Sequence, residues 1–530
     1  MNGIRLRVGT VVVLAGALAI GLRGQTADES RFAIVQNLGL PAIDEGVVVD
    51  STHRPGAEVE LRRAAIRASV ARSAGNGGGS RYVPGRVIVK FKDTASEGAR
   101  ASAMSSVSRT AVMGARPNYA DFDIVRIDPA EDPEAAALAL GQRPEVLYAQ
   151  AAYRIHSLFK PNDPMYAEYQ WNLPLINMER AWDIQPLAGS SITVAVVDTG
   201  LAYQNATITA NIPAFRDDEG TLYPALGNVT IPYAAAPQLV GAGNAGRIVA
   251  PHDFIWDSTT PLDFDGHGTH VSGTVGQLTN DGIGTAGVAF NVKLMPVKVI
   301  ESTWDYLFGA PHEGDDSDLA LGIRYAADNG AKIINMSIGR TGAAGSAPVV
   351  ESAMRYAVGK GVFIAVAAGN GYEDGNPVEV IAEIASRLPG AVSVAAVDPA
   401  KAHAYYSTSG SYVELSAPGG SERGFDRYGF VWQQTFDYRF TETYLNPPDS
   451  YTAPRFDVLA YVGYIGTSMA TPHVSGVAAM LMQQGITNPA AIEDALEKGA
   501  IDLGTPGRDD LFGFGLIDAR AALRGLGLAR

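Results

Sequence analysis

Beyond about residue 165 the chain alternates short, almost continuous apolar runs with amphipathic segments, and this alternation constrains the fold more than any other feature. The apolar runs lie at residues 192–197, 292–300, 332–336 and 362–367, with amphipathic segments at 319–328 and 349–358. Strands that are apolar on both sides must be buried on both faces. The alternation therefore predicts an α/β fold with a mainly parallel sheet and helices on both sides. In such sheets reacting groups collect at the carboxyl ends of the strands.

The composition of the 530 residues excludes several functional classes. Hydrophobic residues make up 46% and charged residues 18%, as in an ordinary globular protein. The net charge of −15 argues against nucleic acid as a partner, because phosphates need basic surfaces. The chain has no cysteine, so neither disulfides nor thiolate metal sites can stabilise it.

The N-terminal segment predicts export. Arg5 and Arg7 precede an uncharged stretch at residues 8–22 that has the length and flanks of a secretory signal peptide. We therefore predict a signal peptide over residues 1–24 and a secreted or cell-envelope location. An uncleaved anchor is the alternative, because Arg23 stands where small residues are expected. No other segment approaches a run of about 20 apolar residues, so no further membrane association is expected.

Composition divides the rest of the chain into three parts. Residues 25–80 form a pre-segment without an assigned function, which ends in the flexible linker SAGNGGGS at residues 73–80. Residues 81–157 follow the order strand, helix, strand, helix, strand, and Asp132 caps the second helix with Pro133 at its first position. This order predicts a small α+β domain with helices on one face of an antiparallel sheet. Residues 158–526 contain the predicted parallel sheet.

Three short segments carry side chains suited to covalent catalysis. The first apolar run ends in VVDTG, where Asp198 is either a turn aspartate or a buried carboxylate that needs a partner. The segment DGHGTHVSG places His267 at a helix start with His270 on the same face. Zinc is the alternative there, but the chain offers no H-E-x-x-H and no carboxylate in ligand register. In GTSMATPHVSG, Ser468 precedes an apolar helix as either a cap or a nucleophile.

Together these segments, in the order Asp198, His267, Ser468, resemble the subtilisin-like serine proteases, the subtilase family of the peptidase S8 type. The resemblance runs from about residue 161 to residue 522, with GFGLIDARAAL at residues 513–523 as its last similar segment. It implies a three-layer subtilisin-like fold that hydrolyses protein or peptide substrates without a catalytic cofactor. Ser468 would attack the carbonyl, His267 would transfer the proton, and Asp198 would orient and stabilise the imidazole.

The resemblance assigns further residues to the site. Asn370, in FIAVAAGNG, resembles the asparagine that binds the oxyanion, although Asn-Gly is also a common turn pair. Two segments resemble the walls of the first specificity pocket, one of them on the strand edge that pairs with extended substrates. They are Ser337, Ile338 and Gly339, and Ala367, Ala368 and Gly369. The stretch around Ser337 also nearly matches the G-x-S-x-G elbow of α/β-hydrolases, but it lacks the first glycine.

Two other regions resemble features of the family. YVPGRVIVKFKD at residues 82–93 and VLYAQAAYRIHS at residues 146–157 resemble a ferredoxin-like inhibitory propeptide. This implies a zymogen whose own propeptide blocks the cleft until it is cleaved; a permanently attached binding module is the alternative. LTNDGIGTAGV at residues 278–288 resembles a calcium loop with Asn280 and Asp281 as ligands, although a matching acidic partner after Asp198 is missing.

The chain also departs from a compact member of the family. Two insertions are expected, at residues 203–247 and 419–464, and the aromatic side chains of the second either line the cleft or form a local core. Four acidic residues near the expected substrate channel suggest tolerance for basic substrate residues, with solvated surface carboxylates as the default interpretation. They are Asp315, Asp316, Asp318 and Glu383. A non-catalytic binding protein and an acyl transferase on this scaffold are the alternative functions.

Overall fold

The computed structural model describes residues 33–34, 82–114, 116, 119–153, 159–217, 219–241, 246–340 and 346–524. The predicted signal peptide at residues 1–24 and the linker at residues 73–80 lie outside the described residues. Among the helices that are described, none is both long enough and apolar enough to cross a membrane.

The strands and helices are numbered in chain order. The strands are β1 (Ala33–Ile34), β2 (Tyr82–Phe91), β3 (Val112–Met113), β4 (Asp123–Arg126), β5 (Val146–Tyr153), β6 (Thr193–Asp198), β7 (Ala206–Ile212), β8 (Phe215–Arg216), β9 (Leu222–Tyr223), β10 (Gly227–Tyr233), β11 (His252–Asp253), β12 (Lys293–Lys298), β13 (Ile333–Met336), β14 (Phe363–Ala367), β15 (Ala391–Val397), β16 (Leu415–Pro418), β17 (Val431–Phe436) and β18 (Leu459–Tyr464). The α-helices are α1 (Glu97–Val107), α2 (Pro133–Gly141), α3 (Tyr166–Tyr169), α4 (Asn172–Leu175), α5 (Met178–Ile184), α6 (Pro237–Val240), α7 (His267–Gly276), α8 (Thr303–Phe308), α9 (Asp316–Asp328), α10 (Pro348–Gly359), α11 (Val380–Ala385), α12 (Tyr438–Thr441), α13 (Thr467–Gln483), α14 (Pro489–Gly499) and α15 (Ala519–Arg524). Two short 3-10 helices span Asp426–Gly429 and Thr443–Leu445.

A seven-stranded sheet in the order β11-β12-β6-β13-β14-β15-β16 forms the centre of the larger unit, and all its neighbouring strands are parallel. Alternate residues of each strand face opposite sides. Val194 and Val196 of β6 belong to the apolar cluster that includes α7 and α13. Ala195 and Val197 belong to the cluster that includes α9, α10 and α11. Helices thus cover both faces, and the predicted three-layer α/β fold is confirmed.

The predicted strands agree closely with β6, β12, β13 and β14, each of which begins one residue later than expected. Strands β15 and β16 were not predicted. Every residue of β15, Ala391–Val397, is buried, but alanine and serine, which favour strands weakly, separate its valines. Helix α9 begins three residues earlier than expected, because Asp315 is its N-cap and Asp318 completes a capping box.

The smaller unit falls within Arg54–Leu158 and has its own core. Its antiparallel sheet has the order β3-β4-β2-β5, and the chain order of its two helices and main strands is that of a ferredoxin-like domain. Val87, Val89 and Phe91 alternate along β2 and pack with Leu140 of α2. The side chain of Asp132 accepts a hydrogen bond from Glu134 N over 2.9 Å, as expected for the predicted cap.

Both expected insertions contain antiparallel strand pairs. In the first, β7 pairs with β10 over the whole length of both strands. In the second, β17 pairs with β18, and the two residues of β1 add to the outer edge of β18. Phe430 and Trp432 are buried in the second insertion, whereas Tyr428 is 43% exposed and stacks on Tyr169. The larger aromatic side chains of this insertion therefore mainly build a local core.

Candidate active site

Asp198 is the last residue of β6, at the carboxyl edge of the central sheet, and its side chain is fully buried. Its Oδ1 accepts hydrogen bonds from Thr199 N over 2.8 Å and from His267 Nδ1 over 2.7 Å. A carboxylate without water is stable only when such partners compensate the lost hydration. The pairing with His267 removes the turn interpretation of Asp198.

His267 is the first residue of α7 and is 1% exposed. The preceding loop is held by Asp263, whose Oδ1 accepts from Gly266 N over 2.8 Å and whose Oδ2 accepts from Thr269 N over 2.9 Å. A Cβ atom at Gly268 would lie 2.4 Å from Gly200 O, so only glycine permits this approach of α7 to the end of β6. Gly268 is therefore required for the close approach of the start of α7 to the residues that follow Asp198.

The charges around His267 favour its protonated form. Burial by itself would lower the pKa of His267, but the charge and the hydrogen bond of Asp198, with the charges of Asp265 and Asp263, raise it above the ordinary value of 6.5. His267 Nε2 is buried and has no hydrogen-bond partner among the residues that the structure describes. A buried ring nitrogen without a partner is suited to receive a proton from a reacting group.

Ser468 is the second residue of α13 and is fully buried, and α13 packs against α7. Its Oγ donates to Ser337 O over 3.1 Å and is not hydrogen-bonded to His267 Nε2. The structure thus joins Asp198 to His267 directly, whereas the Ser468 hydroxyl is bonded to a backbone carbonyl. The cap interpretation of Ser468 is wrong, because Gly466 is the N-cap and no side chain caps this helix end.

Asn370 follows Gly369, which has a φ of 105°, just after β14. Asn370 Oδ1 accepts from Thr467 N over 2.9 Å and from Thr467 Oγ1 over 2.8 Å. Since Thr467 N can only donate, these bonds fix which end of the amide is the oxygen. Asn370 Nδ2 is buried and has no partner within the described part of the chain. A free donor is therefore held beside the start of the helix that carries Ser468.

The two segments assigned to the specificity pocket leave neighbouring parallel strands at the same edge of the sheet. Residues 337–339 follow β13, and residues 367–369 follow or end β14. Ser337 Oγ donates to Ser468 O over 2.7 Å, and Gly369 N donates to Thr467 Oγ1 over 3.2 Å. Both segments are thus tied to the first turn of α13.

The acidic residues proposed near the substrate channel have mainly structural partners. Asp315 and Asp318 form the capping box of α9, and Asp316 Oδ2 lies 3.2 Å from Arg340 Nη2. Glu383 is on the exposed face of α11, 3.9 Å from Arg387. The carboxylate that does lie beside residues 337–339 is Glu379, one helical turn earlier.

The expected calcium loop contacts an acidic residue that the sequence analysis did not consider. Asn280 N donates to Asp163 Oδ2 over 2.8 Å, and Asp281 N donates to Asp163 Oδ1 over 3.3 Å. Burial and the neighbouring charge of Asp281 raise the pKa of Asp163 to about 7. Asp163, Asp281 and the amide oxygen of Asn280 are the hard oxygen donors that calcium prefers, and a cation would relieve the repulsion between the two carboxylates. Asp163 precedes Asp198 in the chain, whereas the sequence analysis looked for an acidic partner after Asp198.

Sequence reasoning missed the residues that support the catalytic side chains. Thr199 Oγ1 donates to Asp263 Oδ1 over 3.0 Å and accepts from Gly268 N over 2.9 Å, so it links the end of β6 to the start of α7. Thr467 orients Asn370. Thr199 and Thr467 each stand next to a candidate catalytic residue in the sequence, and that position was the only hint of their role. Their hydrogen-bond partners cannot be predicted from sequence spacing.

Comparison with known proteins identifies two families that match parts of this chain. Residues 189–515 match the sequence profile described as the subtilase family, and residues 68–151 match the profile of the fervidolysin N-terminal prodomain. A thermophilic serine proteinase of a Bacillus species, strain AK1, is 29% identical over 83% of this chain and 88% of its own length. Thermitase of Thermoactinomyces vulgaris is 30% identical over 64% of this chain and 92% of its own. An extracellular protease of Xanthomonas campestris is 29% identical over 83% of this chain and 72% of its own.

Proposed function

The chain belongs to the subtilase family, and on that premise we propose that Asp198, His267 and Ser468 are the catalytic triad of this protease. The enzyme is a subtilisin-like serine endopeptidase with a prodomain, made as a zymogen. The proposal rests above all on the 2.7 Å contact between Asp198 and His267 Nδ1, with His267 Nε2 buried and without a hydrogen-bond partner among the residues that the structure describes.

The reaction follows from the groups in place. Ser468 Oγ attacks the carbonyl carbon of the scissile bond while its proton passes to His267 Nε2. Asp198 keeps the proton on Nδ1 and stabilises the imidazolium that results. His267 then donates the proton to the leaving amine, and water attacks the acyl-enzyme by the same route. No cofactor is needed for these steps.

We assign the stabilisation of the oxyanion to Asn370 and to the start of α13. Asn370 Nδ2 is a buried donor without a partner among the described residues, and leaving such a donor unpaired costs free energy unless a ligand uses it. The backbone N–H of Ser468 lies in the first turn of a helix, where N–H groups have no intrahelical acceptor. Two donors fixed before the reaction stabilise the tetrahedral intermediate without reorganisation.

The proposal also covers substrate binding, inhibition by the prodomain and export. Extended protein or peptide substrates bind along residues 337–339 and 367–369, namely Ser337, Ile338, Gly339, Ala367, Ala368 and Gly369. Residues 81–157 act as an intramolecular inhibitor until cleavage, which the prodomain match supports. Residues 1–24 direct export, and a relative named as an extracellular protease supports an extracytoplasmic location.

Calcium is proposed as a structural ion. Asp163, Asn280 and Asp281 would hold it, and it would stabilise the folded state by neutralising two neighbouring carboxylates. It takes no part in the bond cleavage.

Labelling with a fluorophosphonate probe tests the triad. The purified active protein should be labelled, and Ser468→Ala should lose both labelling and peptide cleavage. Ser475→Ala is the matched control, because Ser475 is buried in the same helix but donates to Asn335 Oδ1. Labelling that persists in Ser468→Ala would refute the assignment.

A further inference from the structure

A glutamate that the sequence analysis did not single out lies between the two segments assigned to the specificity pocket. A Cβ atom added at Gly339 would lie 2.8 Å from Glu379 Oε2, and one added at Gly369 would lie 3.4 Å from Glu379 Cβ. The two glycines thus leave space that the Glu379 side chain occupies. The Glu379 carboxylate occupies the space that a side chain at position 339 would need.

Hydrogen bonds hold Glu379 in this position. The Arg340 backbone N–H donates to Glu379 Oε1 over 2.6 Å. Glu379 N makes a long contact of 3.5 Å with Tyr412 Oη, which in turn donates to Ala368 O over 3.3 Å. Glu379 is therefore connected to both segments, and it is oriented before any substrate arrives.

The charge of Glu379 lacks a fixed counter-ion. Within the described part of the chain no cationic side chain forms an ion pair with it. The Arg340 guanidinium pairs with Asp316 at 3.2 Å, and its charge lowers the pKa of Glu379 less than burial raises it. Burial raises the pKa of Glu379 to about 7. A carboxylate that has lost water without gaining a counter-ion interacts more strongly with an incoming cation than a solvated carboxylate does.

We infer that Glu379 determines specificity by selecting substrates with a lysine or arginine side chain between residues 337–339 and 367–369. The inference rests on the proposed function, because it assumes that these segments hold the residue whose carbonyl Ser468 attacks. The ammonium or guanidinium group makes a charge-assisted hydrogen bond with Glu379. The aliphatic stem of the same side chain packs along the backbone of the two segments.

A purely structural role makes a different prediction. If Glu379 only accepts the Arg340 N–H, a glutamine can replace it, because the amide oxygen remains an acceptor. Glu379→Gln would then lower activity toward all substrates equally or not at all. A specificity role requires a loss confined to cationic substrates.

The test uses peptide p-nitroanilides of one sequence that differ only in the residue before the scissile bond, which is lysine, arginine or methionine. We expect the active protein at about pH 8.5 to prefer lysine or arginine over methionine by about 10- to 100-fold in kcat/KM, the range typical of a hydrogen bond to a charged group. Glu379→Gln should remove this preference and leave cleavage after methionine within about threefold. Glu383→Gln, on the exposed face of α11, is the matched control and should keep the preference.

The pH dependence of the preference is a second readout. Protonation of His267 lowers kcat/KM for the lysine and methionine substrates by the same factor, so this effect cancels in the ratio of the two values. In the unsubstituted protein this ratio should fall between about pH 8.5 and about pH 6, as Glu379 becomes protonated, and it should not change in Glu379→Gln. Equal cleavage after lysine and methionine, with activity that still depends on Ser468, would overturn the inference alone. No cleavage of any peptide and no fluorophosphonate labelling would overturn the proposed function as well.

Discussion

Replacement of Asn370 is the sharpest test of how the site stabilises negative charge. Asn370→Ala removes Nδ2, the buried donor without a partner among the described residues. In subtilisin, removal of the asparagine that binds the oxyanion is known to lower kcat by about 10²- to 10³-fold, or about 2.7–4 kcal/mol. We expect a loss of the same order for Asn370→Ala. KM should change little, because the donor is used mainly in the transition state.

The same substitution also removes an acceptor. Asn370 Oδ1 accepts two hydrogen bonds from Thr467, and their loss should lower the free energy of unfolding by about 1–3 kcal/mol. Thr467→Val separates the two effects, because it removes the hydroxyl bond to Asn370, and also the acceptor of Gly369 N, but keeps Asn370 Nδ2. Steady-state kinetics with one peptide substrate, well below the unfolding temperature, should show a loss of less than about tenfold for Thr467→Val. Wild-type kcat in Asn370→Ala, or an equal loss in both variants, would refute the oxyanion assignment.

Three further predictions concern titration, metal and stability. Asp265→Asn removes a charge that raises the pKa of His267, so the acid limb of the kcat/KM profile should move to lower pH; an unmoved limb would contradict this. Chelation with EDTA should lower the Tm and added calcium should restore it, whereas Asp163→Asn should abolish the response; a Tm indifferent to both treatments excludes the calcium site. Lys298→Met removes the ammonium group that lies 2.8 Å from the fully buried carboxylate of Asp305. It should lower the free energy of urea unfolding by about 3–5 kcal/mol, and the double variant Lys298→Met/Asp305→Asn should recover part of that loss. A loss below about 1 kcal/mol would contradict this account of the buried pair.

Most of the fold could be predicted from the sequence, and the candidate reacting groups could be proposed from it, because their signals are local. Strands such as β6 are apolar at nearly every position, and a strand buried on both faces has few alternatives. Asp198, His267 and Ser468 each stand in a distinctive segment, at a strand end or a helix start, and their chain order is informative in itself.

The parts that could not be predicted depend on contacts between distant segments. Asp163 precedes Asn280 by more than a hundred residues, and only folding shows that it accepts N–H groups of the loop for which calcium is proposed. Glu379 and Glu383 are one helical turn apart, so sequence position alone could not decide which of them lies against Gly339. The rotamer of Ser468, directed at Ser337 O, is likewise a property of packing and not of the motif.

The proposed triad draws its acid, base and nucleophile from three segments that are far apart in the chain, and Ser468 comes last. During synthesis from the N-terminus, the ribosome therefore completes the prodomain, β6 and α7 long before it adds the serine. Any chain interrupted before α13 can bind or misfold, but it has no group with which to cut a neighbour. With the proposed triad, peptide cleavage can therefore begin only after Ser468 has been added, when the segment proposed to be inhibitory has already been made.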